Sequence, residues 1–315
     1  MANNLDGANA VPRITGLLVL EVRKSNPNGD PERESSPRQR PDGKGEISPV
    51  SVKRKLRDLV LEKEGVVWAE VKKSLSITDD ASYQILESRG RDRKSIIGEI
   101  QAGKFDGKYW DARLFGNTFL ESKEKVAADI GRKLQDPEWQ NLQRNVRSGV
   151  AHFAVGISIA PIDIEFSTWT SKSGVEDGKD RGMAPMAFRV VKHGLYVVPF
   201  FVNPNIAHKT GCTRRDVDLM LQLLKHSYSN TRSVVRTMVE VVHAHTMEHD
   251  SRAGSVSDFV FIDALTPKKK VEPEKASECI ADYHIPAWDE IKDRPIRPGS
   301  AKTLAQCGKY FDYAL

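Results

Sequence analysis

The chain has 315 residues, of which 39% are hydrophobic and 29% charged, with a formal net charge of +5. This composition fits one large domain with sizeable insertions or two domains, and the mild basic excess permits a nucleic-acid partner without proving one. Three widely spaced cysteines, Cys212, Cys279 and Cys307, argue against a zinc knuckle and a disulfide framework, and no apolar run approaches the ~18–20 residues of a membrane span. The polar residues 1–12 lack the apolar core of a signal peptide, so a cytoplasmic protein with free thiols and no membrane partner is expected.

Residues 14–23 (ITGLLVLEVR) form a β-rich apolar run between Pro12 and the Asn26-Pro27-Asn28-Gly29 turn, which predicts a buried strand. Pro27 fixes its own φ and pushes Asn26 toward extended backbone, while Asn28-Gly29 tolerates positive φ. A polar loop follows over residues 32–47. Ser48-Pro49 then opens a helix, with Ser48 as N-cap and Pro49 in its first turn. Val52, Leu56, Leu59 and Val60 give that helix one apolar face. At about 100° per residue, Lys53, Arg54 and Arg57 share an arc of roughly 100° elsewhere, which predicts three cations displayed together. Strand, turn and basic helix in this order offer backbone amides and cations to a polyanion. Such contacts add affinity and salt dependence but no sequence readout. The bland alternative is a solvated helix face.

Residues 65–147 are helical and polar, which reads as an insertion, and RGRDRK at 89–94 is a second basic cluster. Residues 150–166 are strand-like and lead to Thr168-Trp169-Thr170. A polar loop at 171–180 precedes a further strand over 194–202, so a long β-hairpin is expected around a polar tip. Thr213 caps an amphipathic helix running to His226, with Asp216 at capping-box spacing. Residues 239–245 and 259–264 read as two more strands, 268–275 as a charged linker and 285–315 as a tail. Strand–helix–strand–strand–helix–strand with insertions is an α+β, ferredoxin-like plan, shared by RNA-recognition domains and many unrelated proteins. The aromatic stacking motif of a simple RNA-recognition domain is missing from the first strand.

Three chemical patterns have simpler readings. Residues 98–104 (GEIQAGK) match most of a phosphate-binding P-loop, but Phe105 stands where the magnesium-binding Ser or Thr belongs. His243, His245 and His249, with Glu248 and Asp250 nearby, fit no recognised zinc spacing, so no metal and no cofactor is expected. Asp30 could serve as a base or metal ligand, yet an Asp after Asn-Gly is usually a turn residue bonding its own backbone. No nucleophile with a local signature is present, and no catalytic residue is assigned.

Residues 26–31 (NPNGDP), Pro37-Arg38, Gly45 and SPVSVKRKLR at 48–57 closely resemble the opening of the Cas-seven family. That family supplies the RAMP-type backbone subunit of type I CRISPR Cascade complexes, here in its Csd/Csh branch. DARLFG at 111–116, Gly194-Leu195-Tyr196, HKTG at 208–211 and NTRS at 230–233 also match. The resemblance implies a modified RNA-recognition palm over residues 1–64 and 148–265, a thumb hairpin at about 166–188 and a helical insertion at 65–147. Residues 266–315 remain as linker and tail. It further implies a non-catalytic scaffold that polymerises along a CRISPR RNA and leaves guide bases free to pair with target DNA. The guide's phosphates would meet Asn26, Asn28, Gly29, Arg38, Lys53, Arg54 and Arg57. Trp169, Met183 and Met186 would wedge between bases or, alternatively, pack against the next subunit. Target DNA would run along Arg89, Arg91, Arg93 and Lys94. Further partners implied are other copies of the chain, other Cascade subunits and a recruited helicase-nuclease. Two rival readings remain: a type III-like subunit cleaving target RNA with a loop aspartate, and a self-assembling structural protein indifferent to RNA.

Overall fold

The computed structural model describes residues 9–88, 93–117, 122–171 and 184–314. Its centre is β1 (Ile14–Ser25), the buried strand expected from the apolar run. The other strands of its antiparallel sheet are β2 (Lys44–Ile47), β3 (Ala151–Phe153), β4 (Gly156–Pro161), β5 (Ile164–Ser171), β6 (Ala184–Val202), β7 (Val239–His249) and β8 (Gly308–Asp312). The path across the sheet is β8-β7-β1-β6-β4-β2, with β3 and β5 pairing along other stretches of the long β6. β1 pairs with β6 from Ile14↔Val202 to Ser25↔Val191, and with β7 through a bulge between Val19 and Leu20.

β1 is buried at every position except Arg23 and Lys24, because both faces of the sheet are covered. Leu18, Leu20 and Val22 enter one core. That core holds Leu56 and Val60 of α1 (Pro49–Leu61) and Trp68 of α2 (Val66–Ser74). Leu17 and Val19 enter a second core with Phe261, Ile262 and Leu265. Period-two alternation thus places successive leucines in different cores. Each such side chain, fully buried, contributes about 1.5–3 kcal/mol relative to exposure.

Two expectations about the later chain are corrected here. Residues 259–264 are helical, not a strand, within α10 (Asp258–Leu265). Periodicity cannot separate a short apolar run of this kind from a buried helix. Phe261, Ile262 and Leu265 are buried at helical spacing while Phe259 is 71% exposed. Asp258 fastens the helix start by accepting from Arg13 at 2.6 Å and from the Thr15 hydroxyl. Residues 266–315, expected as linker and tail, contribute structure: Lys268–Lys269 pairs with Tyr283–His284, and α11 (Trp288–Ile291) buries Ile291 in the second core. β8 joins the central sheet beside β7.

Between α2 and β3 the chain is helical, as expected. It contains α3 (Arg93–Gln101), α4 (Phe105–Lys108), α5 (Trp110–Phe115), α6 (Lys123–Ile130) and α7 (Asp136–Arg144). Ile96, Ile97, Ile100, Phe105, Val126 and Leu142 form a separate small core, whereas Trp110, Leu114 and Phe115 of α5 join the main one. The P-loop-like residues fall largely within α3, where Ile100 is buried and Glu99 accepts from Tyr109 at 2.8 Å. They are not arranged as a phosphate loop.

Two short helices follow β6: α8 (Ala207–Thr210) and α9 (Arg214–Leu224), the latter closed by the expected Thr213–Asp216 capping box. Asp216 does more than cap. Arg113 of α5 donates to both of its carboxylate oxygens, at 2.7 and 3.2 Å, and both residues are buried. Removing one partner of a buried pair leaves an uncompensated charge. Arg113→Met should therefore lower unfolding free energy by about 3–5 kcal/mol in urea titrations, and a change below about 1 kcal/mol would show the pair to be dispensable.

Candidate nucleic-acid interface

The 26–29 turn is held by its own side chains. Asn26 Nδ2 donates to the Ser35 carbonyl at 2.6 Å, and Asn28 Oδ1 accepts from the Ser48 amide at 2.6 Å. Asn28 therefore ties the turn to the residue that caps α1, whose hydroxyl accepts from the Ser51 amide. Gly29–Asp30 pairs with Ser36–Pro37, folding the loop back on itself. The positive φ that Asn28-Gly29 would tolerate is not used there; near the turn it occurs at Lys24, Glu34 and Ser35. Glycine is needed at 29 for a different reason: a Cβ there would sit 2.8 Å from the Ser35 carbonyl oxygen. Asp30 is a capping residue, accepting from the Glu32 amide at 3.2 Å, with Arg38 at 3.8 Å.

The arc of Lys53, Arg54 and Arg57 exists, but it faces Glu87, Asp111 and Phe115 instead of standing free. Arg57 is buried and donates to Asp111 Oδ2 at 2.9 Å; Asp111 also accepts from the Leu86 and Glu87 amides at 2.7 and 3.1 Å. Arg54 pairs with Asp58 at 2.8 Å and donates to the Glu87 carbonyl at 3.2 Å. Lys53 lies 5.2 Å from the centre of the Phe115 ring, and Arg57 lies 5.3 Å from it. Burial, with the Arg57 charge beside it, pulls the Lys53 ammonium below its usual range. Helical projection gave the directions correctly but could not show that a helical layer would cover them.

Two cations that sequence reasoning passed over complete the surface. Lys55, on the other edge of the apolar stripe, is buried; it donates to the Thr231 hydroxyl at 3.1 Å and lies 4.6 Å from the Tyr228 ring centre. Burial, helped by the Arg236 charge, pulls it down to about 8. Arg236 donates to the Asn26 carbonyl at 3.0 Å, and the Asn26 amide donates to the Val235 carbonyl at 2.7 Å. Among the described residues no carboxylate lies within ion-pair distance of Lys53, Lys55 or Arg236. The turn, the first half of α1 and the 231–236 segment thus form one connected surface. Only the NTRS match at 230–233 pointed toward that last segment. A separate cleft of about 450 Å³ is lined by Arg144, Arg147 and Lys209, with no acidic residue in its lining.

The hairpin arms are present: β5 and β6 pair from Ile164↔Val191 to Ser171↔Ala184, with Trp169 opposite Met186 in register. The side chains of Trp169 and Met186, and all of Met183, lie outside the described residues, so neither wedging between bases nor packing against a next subunit is tested for them. Arg89, Arg91 and the Arg93 side chain also lie outside them, and Lys94 is exposed on α3. The sheet face that a simple RNA-recognition domain offers to bases is here covered by α10, α11 and residues 283–307.

A family model described as "CRISPR-associated protein Cas7" matches residues 12–287. The chain belongs to that family. A curated relative, the CRISPR-associated protein Cas7 of Haloferax volcanii, is 26% identical over 222 residues, covering 68% of this chain. The chain spans 63% of that relative's length. Among solved structures, "CRISPR RNA-guided surveillance complex, pre-nicking" aligns with a TM-score of 0.41 at 15% identity, covering 76% of this chain and 79% of the other. "CRISPR RNA-guided surveillance complex" aligns with a TM-score of 0.40 at 16% identity, covering 76% and 70%.

In this Cas7-family chain the turn stands or falls with Gly29 and Asn28. Gly29→Ala should cost about 1–3 kcal/mol of stability, because the clashing atom is backbone and must move. Asn28→Ala should cost about 1 kcal/mol through the lost bond to the Ser48 amide. Thermal or urea unfolding measures both, and a neutral Gly29→Ala would contradict the close approach.

Proposed function

We propose that this chain is a non-catalytic backbone subunit that grips CRISPR RNA by its phosphates, polymerises along it and presents the bases to target DNA in a type I complex. The observation that carries this reading is the set Lys53, Lys55 and Arg236 around the 26–29 turn, which has no carboxylate within ion-pair distance among the described residues. Single-stranded RNA is the polyanion whose phosphates such a surface fits, and backbone contacts of this kind are indifferent to guide sequence. The resemblance set out above supplies the guide as its source. The strand order β7-β1-β6-β4, with α1 and α9 on one face, supports a modified RNA-recognition palm over residues 1–64 and 148–265. Residues 65–147 act as a helical insertion, and the β5–β6 arms carry a thumb. Other copies of the chain, further Cascade subunits and a recruited helicase-nuclease complete the assembly. In this reading Arg57 and Arg54 shape the surface, and Lys53, Lys55, Arg38 and Arg236 supply its charge.

Asp30 supports the scaffold assignment through its capping bond to Glu32 and its place beside Arg38. Incubating the chain with guide RNA, complementary RNA and magnesium should leave both strands intact. Regularly spaced cuts abolished by Asp30→Ala would replace this reading with the RNA-cleaving one.

Lys55→Met should weaken RNA binding for every guide sequence and reduce the salt slope by about 0.7. Unchanged affinity and slope would remove Lys55 from the interface. The pH response follows from its depressed ammonium. Between about 8 and the usual 10.5 the unfolded chain holds this proton and the folded chain does not. Stability from this group therefore rises with pH across that window, while RNA affinity falls as pH passes about 8. Binding measured from neutral pH to pH ~9 should show this early loss in the wild type and not in Lys55→Met.

A further inference from the structure

Of the three histidines grouped by sequence, the structure separates one and gives the others a new neighbour. His249 bonds the Thr15 hydroxyl at 2.9 Å and accepts from the Ser255 amide at 3.0 Å, while Glu248 pairs with Arg214 at 2.8 Å. His243 and His245 project from one face of β7 with stacked rings, 4.6 Å between centres. β8 pairs Asp312 directly opposite His245. One donor atom from each of His243, His245 and Asp312 comes within 4.8 Å of the others.

The carboxylate is aimed at the rings. Asp312 Oδ1 accepts from the Ala244 and Ala314 amides at 2.9 and 3.0 Å. Oδ2 is left 2.6 Å from His243 Nδ1 and 3.6 Å from His245 Nδ1. His245 Nδ1 also lies 2.8 Å from the Tyr310 hydroxyl, and the Tyr310 ring is stacked on Trp288 at 4.3 Å. His245 Nε2 is buried without a hydrogen-bond partner, so the polar contacts of this ring all run through Nδ1. Burial pushes the His245 imidazole down to about 4, so the ring is neutral at ordinary pH. The side chain of His243 is 25% exposed, which gives solvent a path to a group whose other two members are 1% and 5% exposed.

We propose that His243, His245 and Asp312 bind one divalent transition-metal ion of the zinc type, and that the ion fastens β8 to β7. Two imidazoles and one carboxylate are a recurrent zinc donor set, leaving a fourth position for water. Bonds of about 2.0–2.1 Å in tetrahedral geometry put donors about 3.3 Å apart, so the two Oδ2 distances bracket the required value. Occupancy would displace the Tyr310 hydroxyl from Nδ1 and leave it beside the bound water as an outer hydrogen-bond partner. Because two ligands lie on β7 and one on β8, binding stabilises the paired state by linkage. This departs from the sequence expectation of no metal, for which Asp312, some 67 residues beyond His245, offered no spacing signal.

The test uses the full chain stripped with chelator and titrated with Co²⁺, then Zn²⁺. One equivalent of Co²⁺ should bind with visible bands of four- or five-coordinate geometry, and Zn²⁺ should displace it. Zn²⁺ should also raise the unfolding temperature and slow amide exchange in residues 308–312. His243→Gln and Asp312→Asn should each weaken binding at least ~10-fold, whereas His208→Gln, at an exposed position, should not. In the wild type, Zn²⁺ should protect His243, and not His208, from acylation by diethyl pyrocarbonate; that readout holds even if a variant fails to fold. Binding no tighter than in His243→Gln, or modification of His243 unaffected by Zn²⁺, would overturn the proposal and leave a histidine–aspartate hydrogen bond alone at this place.

Discussion

The constraint on which the rest depends is the burial of β1 on both faces. A strand with Leu17 and Val19 in one core and Leu18 and Leu20 in the other must be covered by two layers. α1, α2, α5 and α9 form one layer, and α10, α11 and residues 283–307 form the other. The second layer occupies the face that RNA-recognition sheets commonly leave for stacked bases. Aromatic residues at the centre of β1 would have no nucleic acid to meet, and none is there. At the end of the strand the 26–29 turn, the start of α1 and the 231–236 segment come together instead.

At that end, the cations are sorted by whether a carboxylate meets them. Arg57 and Arg113 are both buried, and each has an aspartate, Asp111 and Asp216, aligned with its guanidinium. These pairs join α1 to α5 and α5 to α9, so the basic helix is positioned by its neighbours. A buried ion pair is a weak source of net stability, but breaking one is costly, which makes such pairs effective at fixing relative placement. Lys53, Lys55 and Arg236 are treated differently: they are partly or wholly desolvated with no carboxylate at ion-pair distance among the described residues. Cations in that condition repel one another and gain most when a phosphate arrives. The surface is costly to hold empty, and its helices are braced by pairs that are not.

Local signals in the sequence were strong where a few adjacent residues decide the outcome. Ser48-Pro49, the Thr213–Asp216 box and the apolar run of β1 could each be read directly, whereas Lys44–Ile47, read as loop, is a strand and residues 259–264, read as a strand, are helical. The failures all involved distant partners. An amphipathic projection shows that Arg57 lies beside Lys53, but not that Asp111 will meet it. The run FVFIDAL at 259–265 suits either a strand or a helix, and it was settled by Asp258 bonding Arg13 and Thr15 across some 240 residues. Residues 308–312 alternate only weakly, and nothing nearby announces that they will extend a sheet built mostly from the first 250 residues. Lys55 lies at the edge of the apolar stripe opposite Lys53, and that position brings its ammonium against Thr231 and Tyr228.

The placement of the second layer late in the chain sets an order of events during synthesis. β1 leaves the ribosome well before α10, so Leu17 and Val19 stay uncovered until α10 and the segment through Leu304 have followed. For most of its translation the nascent chain therefore carries a sheet with one greasy face open. Long-range pairing of this kind slows folding and leaves partly built states prone to association. Fragments ending before residue 258 should be poor independent units, however complete their family motifs look. Chaperone demand and expression yield would then be governed by the last sixty residues, the part of the chain that seemed least structured on paper.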